Sequence, residues 1–232
     1  MLFIIIALLI LFVAGFYASV HILQWFVDYL AIRYTVNVAT LSPLEAVMNI
    51  MQLTLLLVLM VCLPILVFVF ISYIRPALYL HERRLLIYVP LSLLLGALGA
   101  LFGWYLSVEI FIPYFDGFSR LLQLQNMWSL NYLTSFVIMD LFIFFLVFQI
   151  PLIVTVLHSL GFLQTKNMVS LRKIVVLLSV VLGAVVTPPD VISQLIVAAP
   201  LYVLFELSIQ YCRFKDSRQA RRSVKKRRAR AR

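Results

Sequence analysis

Tyr73-Ile74-Arg75-Pro76-Ala77-Leu78-Tyr79-Leu80-His81-Glu82-Arg83-Arg84 divides two long apolar runs. The stretch holds three arginines and one acid, Glu82, in a chain that has little charge nearby. Arg75 lies just past the first run, Pro76 stops a helix there, and Glu82-Arg83-Arg84 opens the second run. The segment therefore reads as a short connection between two membrane helices. It lies on the cytosol-like face and offers Glu82 to a basic ligand.

Working outward, the chain is 64% apolar and 12% charged, whereas a soluble domain carries about 25% charged residues. Four uncharged runs, Leu2–Val27, Ala46–Ile74, Leu85–Val108 and Leu141–Gln164, exceed the ~18 residues that mark a membrane helix. The class is an all-α, polytopic membrane bundle. The first run has no basic residues before it and is longer than the ~7–15 residues of a cleaved signal, so it reads as a retained helix.

The first helix is expected over Leu2–Gln24, followed by a loop with Asp28, Arg33 and Asn37. Ser42-Pro43-Leu44-Glu45 is a helix start, with Ser42 as cap, Pro43 in the first turn and Glu45 at the positive helix end. The second helix, Glu45–Ile74, carries Pro64 as a kink. The third, Leu85–Val108, holds Gly99 and Gly103 four apart, a spacing that lets helices approach closely. Glu109 to Leu130 reads as a loop flanked by interfacial aromatics. The fourth helix, Asn131–His158, contains Asp140 and Gln149 and ends at Gly161. Ser159–Lys173 reads as a loop.

The last two predicted helices are short: Ile174–Val186, then Val191–Cys212, joined by the turn Thr187-Pro188-Pro189-Asp190. The count is six spans. The connections on one side and the tail hold seventeen of the nineteen basic residues, so both termini are assigned to the cytosolic or matrix side. Domain limits are 1–212 for the membrane bundle and 213–232 for a basic inner tail. That tail supplies eleven basic residues and most of the net charge of +10. It reads as a positive-inside anchor holding anionic lipid rather than a nucleic-acid arm, because it adjoins a membrane helix.

Candidate chemistry is sparse. There is no phosphate-binding G-x-x-x-x-G-K-[ST] loop and no H-E-x-x-H pair, so neither ATP hydrolysis nor a metal centre is expected. No cofactor is expected either. Cys62 and Cys212 read as packing residues. Glu82 has two readings: a helix-start carboxylate paired with Arg83 or Arg84, or a receptor for arginine, whose guanidinium donates two parallel hydrogen bonds that lysine cannot copy. Asp140, Gln149, Gln194 and Glu206 are costly inside a membrane and face a partner, a cavity or a pathway. Glu206, near the inner end of the last helix, either snorkels or pairs with Arg213, seven residues on. A secondary transporter using Asp140 and Glu206 is the rival reading; it expects internal repeats and broken midplane helices, and no repeat is visible. An intramembrane enzyme lacks a catalytic pair.

Three segments carry a resemblance: Ile74 to Arg84, Phe148-Gln149-Ile150-Pro151, and Thr187-Pro188-Pro189-Asp190-Val191-Ile192-Ser193-Gln194 continuing to Pro200 and Phe205-Glu206. In order and spacing the chain resembles the TatC family, the core of the twin-arginine protein translocase, over about Leu2–Phe214. The resemblance implies a cupped six-helix bundle that binds signal peptides with paired arginines, then recruits TatA/TatB-type single-helix subunits. It also implies transport of folded proteins driven by the proton-motive force, within a homo-oligomeric complex. It assigns Glu82, with Arg83 and Arg84, to signal-peptide binding, Gln149, Gln194 and Glu206 to subunit contacts, and Pro188, Pro189 and Asp190 to the structural turn.

Three departures stand out. Members begin with a cytosolic segment carrying Glu-Leu-Arg, absent here, so either the start is truncated or binding is weakened. The usual Phe-Glu-x-Pro is Phe148-Gln149-Ile150-Pro151, and an amide cannot carry a proton as a carboxylate does. The proline expected after the third helix is Glu109. The implied location is a bacterial or mitochondrial inner membrane.

Overall fold

The computed structural model describes residues 2–34, 37–74, 88–121, 127–159, 161–187 and 190–230. Nearly all of them are helical. The elements are α1 (Leu2–Tyr34), β1 (Asn37–Ala39), α2 (Pro43–Ile74), α3 (Tyr88–Tyr105), a π-helical segment (Leu106–Phe111), α4 (Ile112–Leu121), β2 (Met127–Ser129), α5 (Leu130–Val147), α6 (Ile150–Ser159), α7 (Thr165–Ser170), α8 (Arg172–Val186) and α9 (Val191–Arg230). Five stretches among the described residues are long and apolar enough to cross a membrane: Ile5–Tyr34, Pro43–Leu66, Val89–Ser119, Leu130–Ser159 and Val191–Arg218. Leu9, Leu55, Leu101, Leu177 and Val185 are exposed. Such outward apolar side chains need lipid rather than water around them.

The chain forms two compact units, Met1–Leu146 and Val147–Arg232. In the first, α1 and α2 pack through small residues. Thr54 Oγ1 donates to Ser19 Oγ at 3.1 Å, and Ser19 Oγ donates to the Gly15 carbonyl at 2.7 Å. Each hydroxyl is thereby satisfied without water, as a membrane interior requires. The expected start of α2 is present. Leu44 N–H donates to Ser42 Oγ at 3.4 Å, and the Glu45 carboxylate accepts from Leu41 N–H at 3.0 Å.

On α3 the small residues Ser92, Gly96, Gly99 and Gly103 are all buried. A Cβ at Gly103 would lie 3.0 Å from the Asp140 carbonyl oxygen, so the backbones of α3 and α5 nearly touch there. Leu23, Phe26 and Leu30 of α1 pack with Val108, Ile112, Leu130, Leu133 and Val137. Asn37, Val38 and Ala39 pair in parallel with Met127, Trp128 and Ser129. This small ladder ties the α1–α2 connection to the start of α5.

Four expectations need correction. The first helix does not end at Gln24; it continues to Tyr34, because Arg33 and the tyrosines beside it find partners across the unit. Glu109 to Leu130 is not all loop: helix persists to Leu121. Pro113 has no N–H and its ring crowds the carbonyl four residues back, at Glu109. The chain answers with a wider turn, in which Ile112 N–H reaches the Ser107 carbonyl five residues back. That π-helical turn lets the axis pass a proline that would otherwise end it. Ser159–Lys173 likewise holds α7. The last helix is not short: it runs 40 residues to Arg230, with Pro200 inside it.

The fourth predicted helix divides at Phe148-Gln149, where Pro151 removes a backbone donor and disfavours helix in the residue before it. In the second unit, α6 closes as expected at Gly161 (φ 81°). Gly161 N–H donates to the His158 carbonyl and Phe162 N–H to that of Leu157, both at 3.0 Å, the Schellman pattern that needs a left-handed residue. Val154, Met168, Phe205, Ile209 and Cys212 form this unit's core. Cys212 is fully buried in this core, as read, and Cys62 is half-buried; both are free thiols.

Candidate functional site

Glu82, Arg83, Arg84, Pro188 and Pro189 lie outside the described residues. The remaining candidates fall on the α5–α6 break and the α8–α9 hairpin.

The hairpin is built from turn chemistry. Asp190 caps α9: its Oδ2 accepts from Ser193 N–H at 3.0 Å, and its carbonyl accepts from Gln194 N–H at 3.0 Å. On the α8 side, Thr187 Oγ1 donates to the Gly183 carbonyl at 2.9 Å. Gln194 is half-buried, and its Nε2 donates to the Val180 carbonyl at 2.9 Å, across the hairpin. Gly183 makes this crossing possible, because a Cβ there would come within 2.7 Å of the Gln194 carbonyl oxygen.

At the far end of the hairpin Glu206 pairs with Arg172, the first residue of α8. Arg172, not Arg213, is thus the partner of Glu206: the two helices are antiparallel, so residue 206 lies beside residue 172. Glu206 Oε2 and Arg172 Nε are buried and carry no hydrogen bond. The pair is held by one contact and leaves an acceptor and a donor unused. Gln149, at the break between α5 and α6, is buried to 1% exposure.

Two polar centres in the first unit have partners that the sequence reading did not join. Glu109 receives Tyr29 Oη on Oε1 and Arg33 on Oε2, each at 2.7 Å. Tyr34 Oη donates to the Val108 carbonyl at 2.9 Å. The aromatics Trp25, Tyr29 and Trp104 stack over the same region, with the two indole rings 5.3 Å apart. The positions in each pair are more than seventy residues apart, so no local signal joins them. The second centre is Asp140, wholly buried, whose Oδ2 accepts from Ser107 Oγ at 2.6 Å, whereas Oδ1 has no partner. Ser107 lies in the π-helical segment, which brings the two together.

Apolar outer faces and five helices long and apolar enough to cross a membrane define a multi-pass integral membrane protein. Residues 1–200 match the family described as Sec-independent protein translocase protein (TatC), and the chain belongs to that family. It is 32% identical over 179 residues to the TatC protein of Aquifex aeolicus (strain VF5), covering 75% of this chain and 73% of that one. It is 27% identical over 205 residues to TatCy of Bacillus subtilis (strain 168), covering 88% and 80%. Its fold is similar to the crystal structure of the twin arginine translocase receptor TatC, with a TM-score of 0.79, 29% identity, and coverage of 90% of this chain and 93% of that one.

Proposed function

We propose that the chain is the signal-peptide receptor of a twin-arginine translocase, with Glu82 as the capturing carboxylate. The observation that carries this reading is the likeness, across nine-tenths of the chain, to a solved twin arginine translocase receptor. Capture is electrostatic: Glu82 accepts the paired guanidinium groups of an incoming signal, flanked by Arg83 and Arg84. The apolar part of the signal then lies along the helices. Small single-helix TatA/TatB-type subunits assemble next, at Gln149, Gln194 and Glu206. The spare Glu206 Oε2 and Arg172 Nε suit such a contact, because a polar side chain from a neighbouring helix could satisfy both. The turn at Pro188, Pro189 and Asp190 holds the hairpin. The protein acts by binding and assembly in a homo-oligomeric complex powered by the proton-motive force, without covalent chemistry of its own.

The topology that goes with this function has six spans. The five long stretches are joined by α8, whose 15 residues make ~22 Å of helix, short of a ~30 Å hydrocarbon core. Both termini then lie on the inner face of a bacterial or mitochondrial inner membrane.

The test is capture of a twin-arginine signal peptide by reconstituted protein, compared with Glu82→Gln and with a signal in which lysines replace the arginines. A charge-assisted hydrogen bond contributes ~1.5–3 kcal/mol, so binding falls roughly tenfold or more in both comparisons. Undiminished capture by Glu82→Gln sinks the assignment.

A further inference from the structure

α9 outlasts the membrane. Its apolar stretch gives way after Cys212, yet the backbone stays helical to Arg230. The root of this extension is fastened within its own unit. Thr165 Oγ1 donates to Asp216 Oδ2 at 2.5 Å, and His158 Nε2 lies 3.1 Å from Asp216 Oδ1. Lys215 Nζ donates to Ser159 Oγ at 2.5 Å, and the Arg218 guanidinium stands 4.3 Å over the Phe214 ring. Beyond Asp216 no acid follows, and residues 221–230 hold seven basic side chains. Several stand four apart, Arg218 with Arg222, Arg221 with Lys225, Arg222 with Lys226 and Lys226 with Arg230. Like charges at that spacing oppose a helix. A helix kept against its own charge is one that a polyanion would neutralise.

The sequence alone points to anionic lipid, because the basic run adjoins a span. The continuous helix alters that balance in two ways. From Arg218 to Arg230 it rises ~18 Å along the axis of the span, about two Debye lengths at physiological salt. It also lacks the apolar face that lets a helix lie in the headgroup layer, since Val224 is the only apolar residue larger than alanine after Phe214. Arginine outnumbers lysine in this segment, and its guanidinium binds phosphate oxygens bidentately. The spacing of about one charge per 2.6 Å along a helix rising 1.5 Å per residue is of the same order as the ~1.7 Å phosphate charge spacing of a nucleic-acid duplex.

We propose that residues 218–230 form a fixed basic arm that binds structured RNA through its phosphate backbone, beside the membrane and on the tail's side of it. The arm uses neither the signal-binding carboxylate nor a partner subunit, so it stands apart from the translocation reading.

The experiment uses the full protein in zwitterionic phosphatidylcholine nanodiscs, with a short fluorescein-labelled RNA hairpin read by anisotropy. Two variants accompany it, one ending at Arg218 and one with every Lys and Arg from 221 to 230 replaced by Gln. Both keep the membrane spans and the Asp216 fastening. The parent binds, its affinity dropping roughly a thousandfold between about 50 and 200 mM salt, and both variants lose that binding. A parallel arm measures flotation of the nanodiscs with phosphatidylglycerol vesicles, which the proposal expects to respond to the two variants less than RNA binding does. Equal RNA binding by parent and variants overturns the proposal. So does a tail that binds the anionic vesicles and not the RNA.

Discussion

Asp140 is the side chain on which the first unit is most exposed to a single substitution. It is wholly buried, one oxygen is served by Ser107 and the other has no partner. Removing the Ser107 hydroxyl leaves both carboxyl oxygens without a donor, at a cost of about 1–3 kcal/mol for the stranded group. Ser107→Ala should therefore lower the thermal unfolding midpoint in detergent. The double variant Ser107→Ala/Asp140→Leu should recover most of the loss, because replacing both members of a buried polar pair by apolar groups is close to neutral. If the double variant is no better than the single one, the Ser107 contact does not carry the stability assigned to it. Asp140 was legible from sequence as a costly intramembrane acid. Ser107 was not, because its approach depends on a π-helical turn that the apolar pattern does not encode. Glu206 shows the same limit: its charge stood out, but the nearest base along its own helix face was Arg213, and antiparallel packing brought Arg172 instead.

At the level of elements, local chemistry was readable wherever partners lie within a few residues. The Ser42 cap of α2, the Gly161 ending of α6 and the Asp190 turn into α9 all follow from residues in the turn itself. Helix ends set by distant contacts were not readable. α1 runs on through Asp28 and Arg33 because Tyr29, Arg33 and Tyr34 meet Glu109 and Val108. Pro113 would ordinarily stop a helix, and only the wider turn before it lets α4 follow. Glycines give a sharper test of packing. At Gly183 a Cβ would stand 2.7 Å from a backbone oxygen of Gln194, whereas at Gly117, within α4, it would meet nothing within 4 Å. Gly183→Ala must push α8 from α9 and stretch the Gln194–Val180 hydrogen bond, destabilising by about 1–3 kcal/mol. Gly117→Ala should stabilise by about 0.4–1 kcal/mol through the entropy of the unfolded chain. Unfolding midpoints that rank the two the other way would contradict the close approach of the hairpin.

For the whole molecule, the six-span topology proposed above makes a prediction about sidedness. The β1–β2 ladder joins the α1–α2 connection to the start of α5, so residues near 40 and 129 share a face. The stretch Leu130–Ser159 has 30 residues, ~45 Å of chain at a helical rise, long enough to cross a ~30 Å hydrocarbon core. α8 and α9 run antiparallel beside each other, since Glu206 meets Arg172 and Gln194 meets Val180. The connection around Gln164 and the basic arm therefore lie at the same end of the α8–α9 hairpin. Single cysteines at Thr40, Gln164 and Ser223, in a background without Cys62 and Cys212, put this to measurement with a membrane-impermeant maleimide on sealed right-side-out and inverted vesicles. The proposed six-span topology expects labelling of position 40 from one side only and of positions 164 and 223 from the other. Labelling of 164 and 223 from opposite faces would mean that α8 and α9 do not both cross. The short α8 would then lie outside the bilayer, and the six-span bundle would reduce to the five long helices.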